Sequence, residues 1–274
     1  MAKIYHRIVR PNQPISDWLK QLWLRRETLY FFVWRDLKVQ FQSPILGILW
    51  SILQPLIYFG IILSVIKLSG RNGFIDSLPL PVYLISGLAI WNFVTSTITA
   101  TITGLQSNAS IISKASFPRF YLILSPLIRG MIDLLPVLLI VVGIALFNGR
   151  PPNLNALYLL PICVFILLAS TAGISALALS ALVYNRHLKH IVPILLYAGL
   201  FLLPVFYSCS ENEIVAKCCI INPIAGSMSL LRNCFTTPAV LPLNVMVWIL
   251  ISSTLLVVGM LAFKKVEKTL ADNI

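Results

Sequence analysis

Hydrophobic and polar positions fall in long blocks along this chain. Six apolar stretches occupy residues 45–65, 82–103, 122–147, 156–184, 191–207 and 240–263, separated by short polar connectors. Each approaches the ~20 apolar residues that carry a helix across a bilayer. Lipid supplies no water to backbone polar groups, so helices of this length are the default spanning form. The pattern predicts an all-α integral membrane protein with six transmembrane helices. Ahead of the first stretch, Trp18, Leu22, Leu29, Phe32 and Val33 recur at helical spacing, with Lys20, Arg25, Arg26 and Glu27 between them. That alternation predicts an N-terminal amphipathic helix lying in the membrane interface. Residues 208–239 are apolar at Ile220, Ile221, Ile224, Met228 and Leu231, but Pro223 and Pro238 interrupt them. The segment is too broken to span, which predicts one or two re-entrant helices dipping into the outer leaflet against protein. The resulting plan is a cytoplasmic N-terminal segment (1–44), a six-helix transmembrane domain (45–264) and a cytoplasmic tail (265–274).

Charge orients this plan. The chain carries 21 Lys and Arg against 9 Asp and Glu, a net charge of +12 that on its own could suggest nucleic acid. Its distribution points elsewhere. With the N-terminus in the cytoplasm, fifteen basic residues (among them Lys3, Arg10, Arg26, Arg35, Lys114, Arg119, Arg186 and Lys265) fall on the cytoplasmic side. Five fall opposite: Lys67, Arg71, Arg150, Lys217 and Arg232. This bias is the positive-inside rule, and it places both termini in the cytoplasm of a plasma membrane, with membrane lipid and not nucleic acid as the partner. Residues 1–38 are polar and basic, so no cleavable signal peptide is expected. Only 11% of residues are charged, against about 25% in soluble domains, and no connector is long enough for a soluble enzyme.

The chemistry is sparse. There is no GxxxxGK[ST] phosphate loop, no HExxH and no GxSxG elbow. The chain is expected to be no enzyme and to hold no cofactor or metal of its own, so any ATP and Mg²⁺ belong to a separate subunit. Arg129 and Asp133 are the ionisable pair inside a span, four residues apart and so on one helix face. They either line a path or form an internal pair that fixes packing. Four of the five cysteines, Cys209, Cys218, Cys219 and Cys234, share the last external connector, where an oxidising compartment permits disulfides. Adjacent Cys218 and Cys219 would each pair with Cys209 or Cys234; four free thiols are the alternative.

The run Arg35-Asp36-Leu37-Lys38-Val39-Gln40-Phe41-Gln42, followed by Leu46-Gly47-Ile48-Leu49-Trp50 and Gln54-Pro55-Leu56, resembles the opening of the transmembrane subunit of polysaccharide-exporting ABC transporters, the ABC-2 type permease family, and its O-antigen branch in particular. The connector Lys114…Phe117-Pro118-Arg119 resembles that family's cytoplasmic coupling helix, and Asn222-Pro223…Arg232 its last external segment. Gln40 and Gln42 depart from the family, which commonly has basic residues there. The resemblance implies a permease homodimer docked to two ABC ATPase subunits through Lys114, Phe117, Pro118 and Arg119. It implies a lipid-linked polysaccharide, O-antigen, as cargo across the bacterial inner membrane. Sugars are held by aromatic faces, so Trp50, Tyr58, Phe59 and Trp91, with Arg129 and Asp133, are the candidates for the translocation path. Capsule, teichoic-acid or small-molecule export, and a membrane enzyme acting on polyprenyl lipids, are the rival readings.

Overall fold

The computed structural model describes residues 20, 22–41, 47–68, 70, 73–107, 118–185, 187–210, 212–236 and 242–267. Within them the chain runs α1 (Arg26–Phe41), α2 (Gly47–Leu68), β1 (Phe74–Ile75), β2 (Leu78–Pro79), α3 (Leu80–Ser107), α4 (Tyr121–Phe147), α5 (Ala156–Tyr184), α6 (Leu188–Leu202), α7 (Glu213–Ile221), α8 (Pro223–Asn233) and α9 (Val245–Val266). Among the described residues, four helices are long and apolar enough to cross a membrane: α3, α4, α5 and α9. The count becomes five if α7 and α8, bent by 96° at their junction, make up one broken span. The described residues thus support four or five spans, against the six expected. The apolar stretch described in α2 is Leu56–Leu68, shorter than a span. The fifth predicted stretch yields only the 15 residues of α6.

Local chemistry explains where α6 stops. Pro204 restricts the residue before it to extended backbone, and Leu203 sits at φ −92°, ψ 152°. The apolar run continues to Tyr207, but the helix cannot. The bend between α7 and α8 has a similar origin. Asn222 ends α7, and its side chain then accepts from the backbone N–H groups of Ile224 (3.0 Å) and Ala225 (3.4 Å) to cap α8, with Pro223 in the first helical turn. The all-α expectation needs one amendment. Asp76 and Ser77 both take positive φ (47° and 66°), the geometry of a two-residue hairpin turn. They let β1 and β2 pair antiparallel, Phe74 opposite Pro79 and Ile75 opposite Leu78.

The helices form a bundle around α3, of whose apolar stretch 78% is buried, against 28% in α4 and 22% in α9. The latter two present wide apolar faces outward, as lipid contact requires. The buried residues of α9 are Val245, Trp248, Ser252, Gly259, Phe263 and Val266. Steps of three, four and seven keep them on one face, and that face packs chiefly on α5. The two backbones touch: a Cβ on Gly259 would lie 2.5 Å from the carbonyl oxygen of Gly173, and one on Gly173 would lie 2.5 Å from that of Leu255. Close approach of this kind is available only to glycine.

Helix α1 lies against α4. Phe32 and Val33 are buried there, while Trp23, Tyr30, Phe31 and Trp34 are exposed. The exposed aromatics, with the Arg26 guanidinium 5.4 Å over the Trp23 ring, suit a headgroup zone. The Tyr121 hydroxyl, at the start of α4, donates to the carbonyl of Leu22 at 2.6 Å and fastens the turn before α1.

Candidate functional site

Where α1, the end of α3 and the start of α4 meet, a cavity of about 400 Å³ opens. Helix α1 contributes Arg35 and Asp36, α3 contributes Thr103 and Ser107, and α4 contributes Tyr121, Ser125 and Arg129. Asp36 organises the wall. One of its oxygens pairs with Arg35 at 2.7 Å, and the other accepts from the Ser125 hydroxyl at 2.9 Å. Pro126, also in the wall, has no N–H for the carbonyl of Leu122. The result is a half-polar cleft with two guanidinium groups, one carboxylate and several hydroxyls at one end of an apolar bundle. It suits a polar or anionic headgroup whose tail stays in lipid. Its volume is within the ~300–1,000 Å³ usual for small-ligand sites. Among the described residues, no group of three His, Cys, Asp or Glu is placed to hold a metal ion.

The structure brings some sequence-derived candidates to this cleft and leaves others apart. Arg129 lines it, and its Nε lies 3.8 Å from Asp133, with both side chains about a quarter to a third exposed. Tyr58, on α2, is half exposed, and neighbouring Phe59 is partly buried against the core. Trp50 lies on α2, its side chain outside the described residues. Trp91 is buried, with its ring against Gly199 of α6, where a Cβ would come within 2.7 Å. Lys114 and Phe117 lie outside the described residues. Pro118 and Arg119 are described. Arg119, one of the residues expected to dock a partner subunit, makes contacts within the chain. Its backbone N–H donates to Glu267 Oε1 at 3.3 Å, and its guanidinium donates to the Glu267 carbonyl. Beside them Phe120 and Phe263 meet edge to face, 5.9 Å between ring centres.

The opposite end of the bundle is closed by a second cluster. Cys209 and Cys219 are bonded, tying the segment after α6 to α7. Cys218 is an exposed free thiol and Cys234 a buried one, so the two-bridge pairing is not present. The reason is placement: Cys234 caps α8 in the core, its thiol donating to the carbonyl of Leu230, while Cys218 faces out of α7. Arg232 of α8 is also buried. It donates to the carbonyls of Pro204 (2.8 Å), Tyr83 (3.1 Å) and Val205 (3.5 Å), with its guanidinium 3.4 Å from the centre of the Tyr83 ring. Asp76 in the hairpin turn accepts from Ser208 (2.5 Å) and Ser210 (3.3 Å), which flank Cys209.

Sequence reasoning missed the roles of Asp36, Ser125, Glu267 and Arg232. For Ser125 a signal existed: Tyr121, Ser125 and Arg129 follow one another at four-residue steps along an apolar span, a polar stripe on one face. Arg232 enters the sequence reading as one basic residue of a connector and as the end of the Asn222-Pro223…Arg232 segment, and nothing there shows that it is buried.

No family model matches the chain. Among curated proteins it is similar to two O-antigen export system permease proteins RfbA of Klebsiella pneumoniae, each 26% identical over 239 residues, which is 87% of this chain and 91% of the relative. It is also similar to the O-antigen export system permease protein RfbA of Myxococcus xanthus, 23% identical over 71% of this chain and 74% of that protein. The chain is thus related, along most of its length, to the permeases of O-antigen export systems.

Proposed function

We propose that this chain is the transmembrane subunit of an ATP-driven exporter that moves a lipid-linked polysaccharide, O-antigen, out of the cytoplasm across the bacterial inner membrane. The observation that carries this reading is the similarity to O-antigen permeases over 87% of the chain, on a fold of apolar helices that spans or lines a bilayer. Two copies pair, and each docks on an ABC ATPase subunit that binds ATP and Mg²⁺. The chain itself performs no covalent chemistry. In this reading six segments cross: α2, α3, α4, α5, α6 and α9. The bent α7–α8 pair is re-entrant from the outside, and both termini are cytoplasmic. The end holding Arg119 and Glu267 then faces the ATPase, and the Cys209–Cys219 cluster faces out. The cleft between α1, α3 and α4 lies at the cytoplasmic interface, where Arg35 and Arg129 meet the anionic headgroup of the carrier lipid while its tail stays among the exposed apolar faces.

A clean deletion and its complementation test this. Without the chain, polymer should accumulate on its carrier inside the cell and be absent from the surface; restoring the chain with its ATPase should return it. Normal surface glycan in the deletion, with lost resistance to a small toxic compound, would reassign the chain to small-molecule export.

A further inference from the structure

We propose that α9, locked to α5, is the transmission rod of the exporter: it carries displacement of the Arg119 connector to the bent α7–α8 pair through two positioning residues, Glu267 and Trp248. This rests on the reading of the chain as an ATP-driven permease.

Three observations support a single rigid path. At the inner end, two bonds from Arg119 to Glu267 and the Phe120–Phe263 ring contact join the connector to the last turn of α9. Phe263 and Val266 are buried there, so the joint is packed as well as hydrogen-bonded. Along its length, α9 has its backbone against that of α5 at Gly173 and Gly259. With no side chain between the backbones to rearrange, the pair moves as one body. At the outer end, one indole holds both limbs of the bent pair. Trp248 Nε1 donates to the carbonyl of Cys219 on α7 at 3.1 Å. The same ring covers Gly226 on α8, where a Cβ would lie 2.3 Å from it. Cys219 is in turn bonded to Cys209. A shift of α9 therefore reaches α7, α8 and the segment after α6 together. Trp248 and Glu267 are 19 residues apart (267 − 248), about 28 Å along the helix, close to the ~30 Å thickness of the hydrocarbon core.

The chain provides its own reporter. Of its five cysteines, Cys209 and Cys219 are bonded and Cys163 and Cys234 are buried, which leaves Cys218 as the exposed free thiol, next to the residue that Trp248 holds. In the complex with its ATPase, reconstituted in nanodiscs, the labelling rate of Cys218 by a hydrophilic maleimide should differ by about threefold between the ADP and ATP states, a coupling of the size mutations along such networks modulate. Trp248→Phe keeps a ring over Gly226 and loses the N–H. It should abolish the nucleotide dependence of labelling while ATP hydrolysis continues. Glu267→Ala, which removes the acceptor of the Arg119 N–H and leaves the guanidinium bond to the residue 267 carbonyl, should reduce it from the other end, and Glu267→Gln, which retains an acceptor, should restore it. A destabilised fold would change labelling equally in both nucleotide states, and that result overturns the proposal. So does a wild-type rate indifferent to nucleotide in a complex that exports glycan, or a wild-type response surviving in both variants. A wild-type complex that exports nothing would instead remove the functional reading on which the rod depends.

Discussion

Replacing Arg232 by Met is the sharpest test of how the outer cluster is held together. Arg232 is 6% exposed and its hydrogen bonds go to three backbone carbonyls, at 2.8, 3.1 and 3.5 Å. The third is at the limit of a hydrogen bond, so two strong bonds are at stake. Met is similar in length and has no donor: the Tyr83 carbonyl keeps the Ser86 hydroxyl at 3.0 Å, while the Pro204 carbonyl is left with only the Tyr83 hydroxyl at 3.5 Å, so one group is stranded, at about 1–3 kcal/mol. The contact with the Tyr83 ring adds about 1–2 kcal/mol, because the cation is desolvated. Against this, the variant no longer buries a charge, which recovers part of a penalty of several kcal/mol. The net expectation is a loss of about 2 kcal/mol, because one stranded carbonyl and the lost ring contact outweigh the recovered part of the charge penalty. Arg232→Lys should lose about 1 kcal/mol: the charge remains, but a single ammonium cannot donate along the diverging directions of the guanidinium. Gly87→Ala supplies an independent check, because its Cβ would lie 2.6 Å from Arg232 Nη2 and push the same group. Unfolding in mixed detergent micelles, followed by tryptophan fluorescence, gives the free-energy differences. A methionine variant as stable as the wild type, or more so, would refute the reasoning. It would mean that the buried charge is a net cost retained for another purpose.

Three further outcomes are expected. Gly259→Leu must force α9 from α5, because its Cβ alone would meet the Gly173 carbonyl oxygen at 2.5 Å; unfolding in micelles should show a loss of about 3 kcal/mol, whereas Gly143→Ala, which meets nothing within 4 Å, should stay within about 1 kcal/mol. Cys209→Ser opens a bridge between residues ten apart, worth about 2.5–3 kcal/mol by chain entropy; peptide mapping of protein purified without reductant should find Cys209 linked to Cys219, and a link through Cys234 would contradict the structure. Asp36→Ala removes the acceptor of Ser125 and the carboxylate beside Arg35; trypsin should cut faster after Arg25 and Arg26 as α1 detaches, and an unchanged cleavage rate would show that Phe32 and Val33 hold the helix alone.

Much of the fold is legible in hydropathy because a bilayer imposes so strict a pattern. The stretch at 156–184 matches α5 residue for residue, and 122–147 misses α4 by one. Hydropathy fails where backbone chemistry overrides it. Residues 203–207 are as apolar as those before them, yet Pro204 ends the helix, and the Asp76–Ser77 turn makes a hairpin that a loop of this length does not announce. The candidate site was half visible. Arg129 stands out because a charge in a span is rare. Asp36 was read only as part of a motif, since nothing local shows that it will meet Ser125, 89 residues on. Glu267, 148 residues from Arg119, is invisible for the same reason. An aromatic in a span such as Trp91 looks the same in sequence whether it lines a path or fills the space over a glycine.

The shortness of α6 has a consequence for the membrane itself. Its 15 residues reach about 22 Å, some 8 Å less than a typical hydrocarbon core of about 30 Å, and none of them is buried within the chain. A helix so placed creates hydrophobic mismatch: lipid beside it must thin, or groups at its ends such as Lys189 and Tyr207 must extend to the headgroups. If α6 crosses as proposed, the bilayer is thinnest along this flank, and the distance a polar headgroup must travel is shortest there. Activity should then fall as the acyl chains of the surrounding lipid are lengthened, even where the protein's own contacts are unchanged.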